Sequence, residues 1–175
     1  MNKQKLLETI DILKNIRKNK EVIINELNDE IFFLKCCLVN PQSYGALIQN
    51  RFIRLNNGLK IKSSENKGDC IIDNHYYEIK SSISFNNCFN IVQIRPWQNI
   101  DYYLILANID KNVSISVLKL NHQQMMNELE NHKQTAHGTI IANQNNQNIE
   151  YRMTIDNDLL LQFKRKYAIS NTLKI

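Results

Sequence analysis

The stretch from Tyr102 to Ile109, "YYLILANI", is an almost unbroken apolar run near the middle of the chain. A short run of this kind, rich in aromatic and branched residues, is typical of a strand in the centre of a sheet that is covered on both faces. A covered strand needs one packed layer above it and another below it. The run therefore predicts a layered domain built around a central sheet.

Segments on either side of this run show two different periods. Short runs that are apolar or alternate with a period of two predict further strands: "CII", "YYEIK", "IVQIR" and "VSISVLKL". Apolar residues at helical spacing predict helices over 3–19, 21–38, 43–55, 121–133 and 156–166. We therefore predict an α/β (α+β) fold with a central mixed β-sheet flanked by helices.

A chain of 175 residues is the size of one domain. We expect a single domain over 1–175, with N-terminal helices in 1–40, a core in 43–120, and a C-terminal helix and polar loop in 121–175. Pro41 is expected to end the second helix and Ser43 to cap the third, which Asn57-Gly58 stops.

The chain is basic, with a net charge of +5 and a pI near 9.0. This balance suits a polyanionic partner such as DNA, but many proteins that bind no nucleic acid share it. Charged residues interrupt the first 20 positions, which excludes an apolar signal peptide or membrane span there. The cysteines and histidines lack metal-ligand spacing, so a structural zinc is not expected. We expect a cytoplasmic protein with no membrane partner.

Charged residues cluster in "GDCIIDNHYYEIKSS", residues 68–82. If Asp73-Asn74 is a two-residue turn, then Ile72 pairs with His75 and Asp69 lies opposite Glu78. Opposed residues share a face with Cβ atoms roughly 5 Å apart, and alternation brings Lys80 to that same face. The register thus predicts one cluster of two carboxylates and an ammonium.

Two carboxylates this close repel each other unless a cation lies between them, and oxygen ligands suit Mg²⁺ or Mn²⁺. A divalent ion can polarise a phosphoryl oxygen and acidify a bound water, and an adjacent ammonium can orient that water or stabilise negative charge. These groups therefore suit metal-assisted phosphodiester hydrolysis. The spacing alone fits a second interpretation equally well, in which Asp69, Glu78 and Lys80 are solvated residues of a surface hairpin.

The arrangement of Asp69 followed by Glu78-Ile79-Lys80 resembles the PD-(D/E)xK nuclease superfamily, with Gly68 in the place of the proline. The preceding segment "SYGALIQNRFI" resembles the helix before that motif, with Gln49 where a Glu is frequent. The segment "FNIVQIRPWQNIDYYLILA" is similar to the strand that follows the triplet in type II restriction endonucleases. The resemblance covers about Ser43 to Ile109 and implies a restriction-endonuclease-like core with an N-terminal helical extension.

This resemblance implies a type II restriction enzyme, a sequence-specific endonuclease that cuts double-stranded DNA with Mg²⁺ and leaves a 5′-phosphate. Asp69, Glu78 and the backbone carbonyl of Ile79 would hold Mg²⁺, with Mn²⁺ as a substitute, and Lys80 would position the attacking water. The supporting residues are expected to be Gln49, Gln93, Arg95 and Ser81.

Alternation along the strand after the triplet predicts that Ile91, Gln93 and Arg95 share one face, with Val92 and Ile94 on the other. Gln93 and Arg95 would then approach the site or a phosphate. Arg95 has an alternative role as the partner of a surface carboxylate such as Asp101.

The segment from Asn121 to Arg152 is rich in His, Gln and Asn, side chains that pair with base edges. It is either a DNA-reading element or an ordinary polar loop. Residues expected to contact DNA are Arg51, Arg54, Lys62, His137, Thr139 and Asn143.

Cleavage of both strands of a palindrome is simplest for a homodimer, and the N-terminal helices offer a surface for one. A cognate DNA methyltransferase acting separately is the partner that such an enzyme implies. Two other functions fit the same residues: a structure-specific repair, recombination or mobile-element nuclease, and a catalytically silent DNA-binding module.

Overall fold

The computed structural model describes residues 29–62, 67–109, 113–135 and 149–169. The strands are β1 Leu59–Lys60, β2 Cys70–Ile72, β3 His75–Ser84, β4 Phe89–Ile94, β5 Asp101–Ile109, β6 Val113–Leu120, β7 Lys133–Thr135 and β8 Tyr151–Ile155. The helices are α1 Asp29–Cys36, α2 Pro41–Leu55, α3 His122–His132 and α4 Asn157–Tyr167, with a 3₁₀ turn at Pro96–Gln98.

The main sheet has five strands in the order β1-β2-β3-β5-β6. Strands β3 and β5 run parallel, and the remaining neighbours are antiparallel. The predicted mixed sheet flanked by helices is therefore confirmed, and β5 lies inside it as its apolar run predicts.

The two faces of β5 pack against different layers. On one face Tyr103, Ile105 and Ala107 join a cluster with the apolar side chains of α1 and α2, among them Phe32, Phe33, Ile48 and Phe52. On the other face Tyr102, Leu104 and Leu106 pack with residues of β4, β8, α3 and α4, among them Ile91, Met153, Met125 and Phe163. Every residue of β5 from Tyr102 to Ile109 is buried, because both faces are covered.

A second sheet of three strands, in the order β4-β8-β7, lies in the layer with α3 and α4. The sequence predicts a polar hairpin or loop that ends in Tyr151–Ile155, and the structure shows that this end is a strand, β8, paired antiparallel with β7. The alternation of Tyr, Met and Ile with Arg and Thr is the signal of a half-buried strand, and Met153 and Ile155 are fully buried.

Helix α2 begins earlier than predicted. Asn40 is its N-cap and accepts a hydrogen bond from the Ser43 N–H at 2.9 Å, so Ser43 is not the cap. Pro41 does not simply end the preceding helix but occupies the first turn of α2, where its missing N–H costs nothing. The helix ends at Leu55, and Asn57 adopts a left-handed conformation, as the predicted Asn-Gly stop requires.

The predicted C-terminal helices are confirmed as α3 and α4, capped by the side chains of Asn121 and Asp156. The helix predicted over 3–19 lies outside the described residues. The helix predicted over 21–38 is described from Asp29 onward, where the structure shows α1 ending at Cys36. None of the helices in the described ranges combines the length and apolar character that crossing a bilayer requires.

Candidate active site

The hairpin of β2 and β3 has the predicted turn. Asp73 and Asn74 have φ values of 50° and 63°, the left-handed pair of a two-residue hairpin turn, and Ile72 pairs with His75. Cys70 pairs with Tyr77, and the apolar side chains on this face of the hairpin are buried against α1 and α2: Cys70, Ile72, Tyr77 and Ile79.

A β-bulge precedes this ladder at Asp69. The Asp69 N–H donates to the Tyr77 carbonyl at 2.8 Å, so that Asp69 and Cys70 both face Tyr77. Asp69 is therefore not paired directly opposite Glu78, which corrects the predicted register at this one position. Its carboxylate instead reaches along the strand, and Oδ2 accepts the N–H of Ile79 at 2.8 Å.

Gly68 makes the bulge possible. Its φ of +86° lies in the region that other residues rarely adopt, and a Cβ at this position would lie 2.7 Å from the Tyr77 carbonyl oxygen. Main-chain bonds then fix Asp69 on both sides, because its carbonyl accepts the Ile61 N–H at 2.9 Å. The carboxylate of Asp69 is thus held by backbone that only glycine permits.

Glu78 and Lys80 form an ion pair on β3. Lys80 Nζ lies 2.7 Å from Glu78 Oε1, and the two side chains are 13% and 8% exposed. Burial of a carboxylate without a partner costs free energy, and the ion pair with Lys80 offsets this cost for Glu78. The predicted convergence of Lys80 and Glu78 is present, and the pair is too deeply buried for the alternative of two solvated surface charges.

The pKa of the Asp69 carboxyl is raised, first by burial and then by the nearby charge of Glu78. The N–H of Ile79, the charge of Lys80 and a hydrogen bond from the Gln49 side chain oppose this rise without cancelling it. Asp69 and Glu78 are therefore close enough to repel each other, and Gln49 contacts the site as its position in the sequence predicts.

These residues lie in a cleft of about 640 Å³ between α2 and β4, with β3 at its floor. The cleft is lined by all seven residues predicted for catalysis and its support: Asp69, Glu78, Lys80, Gln49, Gln93, Arg95 and Ser81. Helix α2 buries Ile48 and Phe52 against the sheet while Gly45 and Gln49 face the cleft.

The predicted alternation along β4 is wrong after Ile91. Gln93 has a φ of 56°, and the pairing of β4 with β8 shifts between Ile91 and Ile94, as in a β-bulge. Ile91 and Ile94 are consequently both buried, while the exposed Val92 and Gln93 both line the cleft. Gln93 and Arg95 reach the cleft through this bulge and not through simple alternation.

Arg95 pairs with a carboxylate other than the one considered in the sequence. Its Nε donates to Glu150 Oε1 at 2.8 Å, whereas Asp101 accepts the N–H of His122 at 2.9 Å. The Arg95 side chain is 33% exposed and lines the cleft, so the ion pair with Glu150 holds Arg95 without burying it.

Of the residues predicted to contact DNA, the three that the structure describes, Arg51, Arg54 and Lys62, do not line the cleft. Arg51 is buried, pairs with Asp29 at 2.9 Å and stacks over the Phe32 ring, so the expectation of an exposed DNA contact is wrong for Arg51. Arg54 and Lys62 are exposed elsewhere. His137, Thr139 and Asn143 lie outside the described residues.

Sequence reasoning missed several residues that line the cleft: Asn90, Val92, Gln42 and Tyr44. Asn90 is held in place, because its N–H donates to Ser82 Oγ at 3.1 Å and its Oδ1 accepts the Thr154 hydroxyl at 3.1 Å. A sequence prediction that began α2 at Pro41 would have placed Gln42 and Tyr44 in the same helix as Gly45 and Gln49, in the turn that precedes them.

The oxygen donors suit a hard divalent ion. Within the described ranges no three His, Cys, Asp or Glu side chains gather around one point, so a ligand-rich zinc or calcium cage is not present there. Mg²⁺ binds through one or two carboxylates and keeps several waters, which matches Asp69 and Glu78. The carbonyl of Ile79 faces the same side of β3 as its N–H, which Asp69 accepts. These three groups fit Mg²⁺.

A scan against protein-family models and a search of curated proteins found no match to this chain.

Proposed function

We propose that this protein is a Mg²⁺-dependent endonuclease of the PD-(D/E)xK type that hydrolyses double-stranded DNA and leaves a 5′-phosphate. The observation that carries the proposal is the position of Asp69, whose carboxylate is held against Ile79 N–H beside the Glu78–Lys80 ion pair, at the floor of an open cleft. Arrangements that force two carboxylates together are typical of functional sites.

Each residue has a proposed task. Asp69 and Glu78, with the Ile79 carbonyl, would hold Mg²⁺, which polarises a phosphoryl oxygen and offsets the charge of the substrate when bound. Lys80 donates hydrogen bonds from Nζ, held beside Glu78 at 2.7 Å, to orient the attacking water and to stabilise negative charge at the phosphate. Gln49 supports Asp69 by its hydrogen bond.

A type II restriction enzyme is the specific form we propose, acting as a homodimer on a short sequence alongside a separate methyltransferase. Because its substrate is DNA, we expect such an enzyme in the cytoplasm. A structure-specific nuclease of the same chemistry would cut branched or mismatched DNA and leave plain duplex intact.

The test is cleavage of unmethylated phage DNA by purified full-length protein in Mg²⁺ and in EDTA, beside Lys80→Ala. Discrete fragments that require both Mg²⁺ and Lys80 would support the proposal, and a loss of 10²-fold or more is expected for the variant. Arg165→Ala, which removes an exposed cation of α4 outside the cleft lining, is the control. Undiminished cleavage by Lys80→Ala would place the active site elsewhere, and uncut duplex with cut branched DNA would favour the structure-specific enzyme.

A further inference from the structure

Strand β3 is longer than the strand that pairs with one of its edges. β3 runs from His75 to Ser84, but β2 pairs only with His75–Tyr77. On its other edge β3 pairs with β5 from Tyr77 to Ser84. Among the strands that the structure describes, the part of β3 beyond the Asp69 bulge therefore has one paired edge and one open edge.

The direction of each main-chain group follows from alternation. In a strand the N–H and C=O of one residue face the same neighbour, and the next residue faces the opposite one. Tyr77 faces β2 and the Ile79 N–H faces Asp69, so Ser81 and Ile83 face the same side. No hydrogen-bond partner for their N–H groups occurs among the residues that the structure describes.

This open edge is the floor of the cleft. Ser81 and Ile83 both line the cleft, with Gly45 of α2 on one side and Asn90 of β4 on the other. An open edge normally invites pairing with another strand. Here α2 and β4 border the open edge, so an occupant of the cleft would lie along β3 between them.

Charge is concentrated at one end of the cleft. Among the lining residues that the structure describes, the carboxylates are Asp69 and Glu78, and both lie at the start of the open edge. Lys80 and Arg95 are the cations of this lining, and Lys80 lies beside Glu78 at the same end, whereas the lining at Ser81, Ile83 and Asn90 carries no charge. Ser81 lies roughly 7 Å along β3 from Ile79, a separation comparable to that of neighbouring phosphates in one nucleic-acid strand.

We propose that the open edge of β3 binds the backbone of the cut DNA strand, with the N–H groups of Ser81 and Ile83 donating to phosphate oxygens next to the scissile phosphate. The inference rests on the proposed function and adds a main-chain binding track to it. Main-chain N–H groups are established phosphate ligands in protein–DNA complexes and carry no sequence information, so this track fixes the position of the strand and leaves sequence reading to other residues.

Substitution of Ser81 separates its N–H from its side chain. Ser81→Pro removes the N–H that faces the cleft and leaves the ladder to β5 intact, because proline is tolerated where the N–H of an edge strand is unpaired. Ser81→Ala keeps the N–H and removes the hydroxyl. Affinity for phage DNA fragments is measured by filter binding in EDTA, with cleavage in Mg²⁺ alongside. We expect binding by Ser81→Pro to be roughly tenfold weaker than binding by Ser81→Ala, because the two variants both lack the hydroxyl and differ in the N–H.

Hydrogen exchange of the wild-type protein gives a second readout that needs no variant. Without DNA, the amides of Ser81 and Ile83 should exchange quickly, while those of Lys80 and Ser82, which face β5, exchange slowly. Addition of a short DNA duplex in EDTA should protect the first pair. This measurement decides the question if Ser81→Pro does not fold.

The outcomes separate the two proposals. Equal binding by Ser81→Pro and wild type, with amides unprotected in the complex, overturns the track while a Lys80-dependent cleavage leaves the nuclease standing. Protection that appears without DNA and grows with protein concentration overturns the track in favour of strand pairing between copies. Wild-type protein that neither binds nor cuts DNA overturns both.

Discussion

The carboxylate of Asp69 occupies the place that a main-chain carbonyl would take opposite Ile79, and its Oδ2 accepts the Ile79 N–H at 2.8 Å. The side chain thereby continues the hydrogen bonding of β3 past the end of β2. It also holds a negative charge beside Glu78. The hydrogen bond to Ile79 therefore stabilises the backbone, while burial and the charge of Glu78 destabilise the ionised form of the Asp69 carboxyl.

Asp69→Asn should stabilise the protein at neutral pH by about 1 kcal/mol, because the amide keeps an oxygen for Ile79 and removes a repelled charge. The folded pKa of Asp69 is raised, so its contribution to stability is full below the unfolded value of 3.8 and is lost as pH rises through the folded pKa. The advantage of the variant should therefore shrink as pH falls toward 3.8. Urea unfolding at several pH values measures it, and a variant less stable at neutral pH contradicts the prediction.

Mg²⁺ should stabilise the wild-type protein and have little effect on Asp69→Asn, because the folded state alone assembles the proposed ligands. The measurement is Tm with increasing Mg²⁺, compared with the same ionic strength of NaCl. An equal rise in both proteins would mean that Asp69 does not hold the ion.

Lys80→Met should lower the free energy of unfolding by about 3–5 kcal/mol, because it leaves the Glu78 carboxylate buried without its cation. The double variant Glu78→Gln/Lys80→Met should recover much of that loss, since both charges are then absent. Urea unfolding of the wild type, the two single variants and the double variant gives the coupling energy, expected at about 1–3 kcal/mol. Additive effects of the two substitutions would contradict a stabilising pair.

Gly68→Ala should cost about 2–4 kcal/mol, because its φ of +86° is strained for alanine and the new Cβ would lie 2.7 Å from the Tyr77 carbonyl oxygen. Gly45→Ala is the matched control, since the nearest atom to its added Cβ is Ser81 Oγ at 4.0 Å. Within helix α2 it should gain about 0.5–1 kcal/mol. Thermal unfolding of both variants tests the pair, and similar Tm values would refute the role assigned to Gly68.

Arg51→Ala should lower stability by about 2–4 kcal/mol through lost packing on Phe32 and the lost bond to Asp29, without changing the DNA affinity of the folded protein. Arg54→Ala, one turn later and exposed, should change stability by about 0.5 kcal/mol or less. Unfolding and filter binding of both variants provide the measurements. Weaker DNA binding by folded Arg51→Ala would restore it as a DNA contact.

The sequence predicted the hairpin well because its information is local. A two-residue turn at Asp73-Asn74 sets the register of every later residue, so Glu78 and Lys80 follow from counting. The bulge at Asp69 was not predicted. Gly68 is the residue that permits it, but a glycine before a strand can equally belong to a turn or to a close backbone contact.

The bulge at Gln93 depends on packing between distant parts of the chain. Ile91 and Ile94 are both buried against β8 and the C-terminal helices, and a regular strand cannot bury residues three apart on one face. The partner of Arg51 was equally hidden, because Asp29 lies 22 positions away with no pattern that links the two.

The wall formed by β4 has a consequence for synthesis on the ribosome. Asn90 and its partner Thr154 are 64 positions apart, and among the strands that the structure describes β4 pairs with β8 alone. Asp69, Glu78 and Lys80 emerge and can form their hairpin long before that strand exists. The nascent chain therefore carries these side chains before the cleft is complete, and under the proposed function cleavage of DNA begins only after the C-terminal segment has folded.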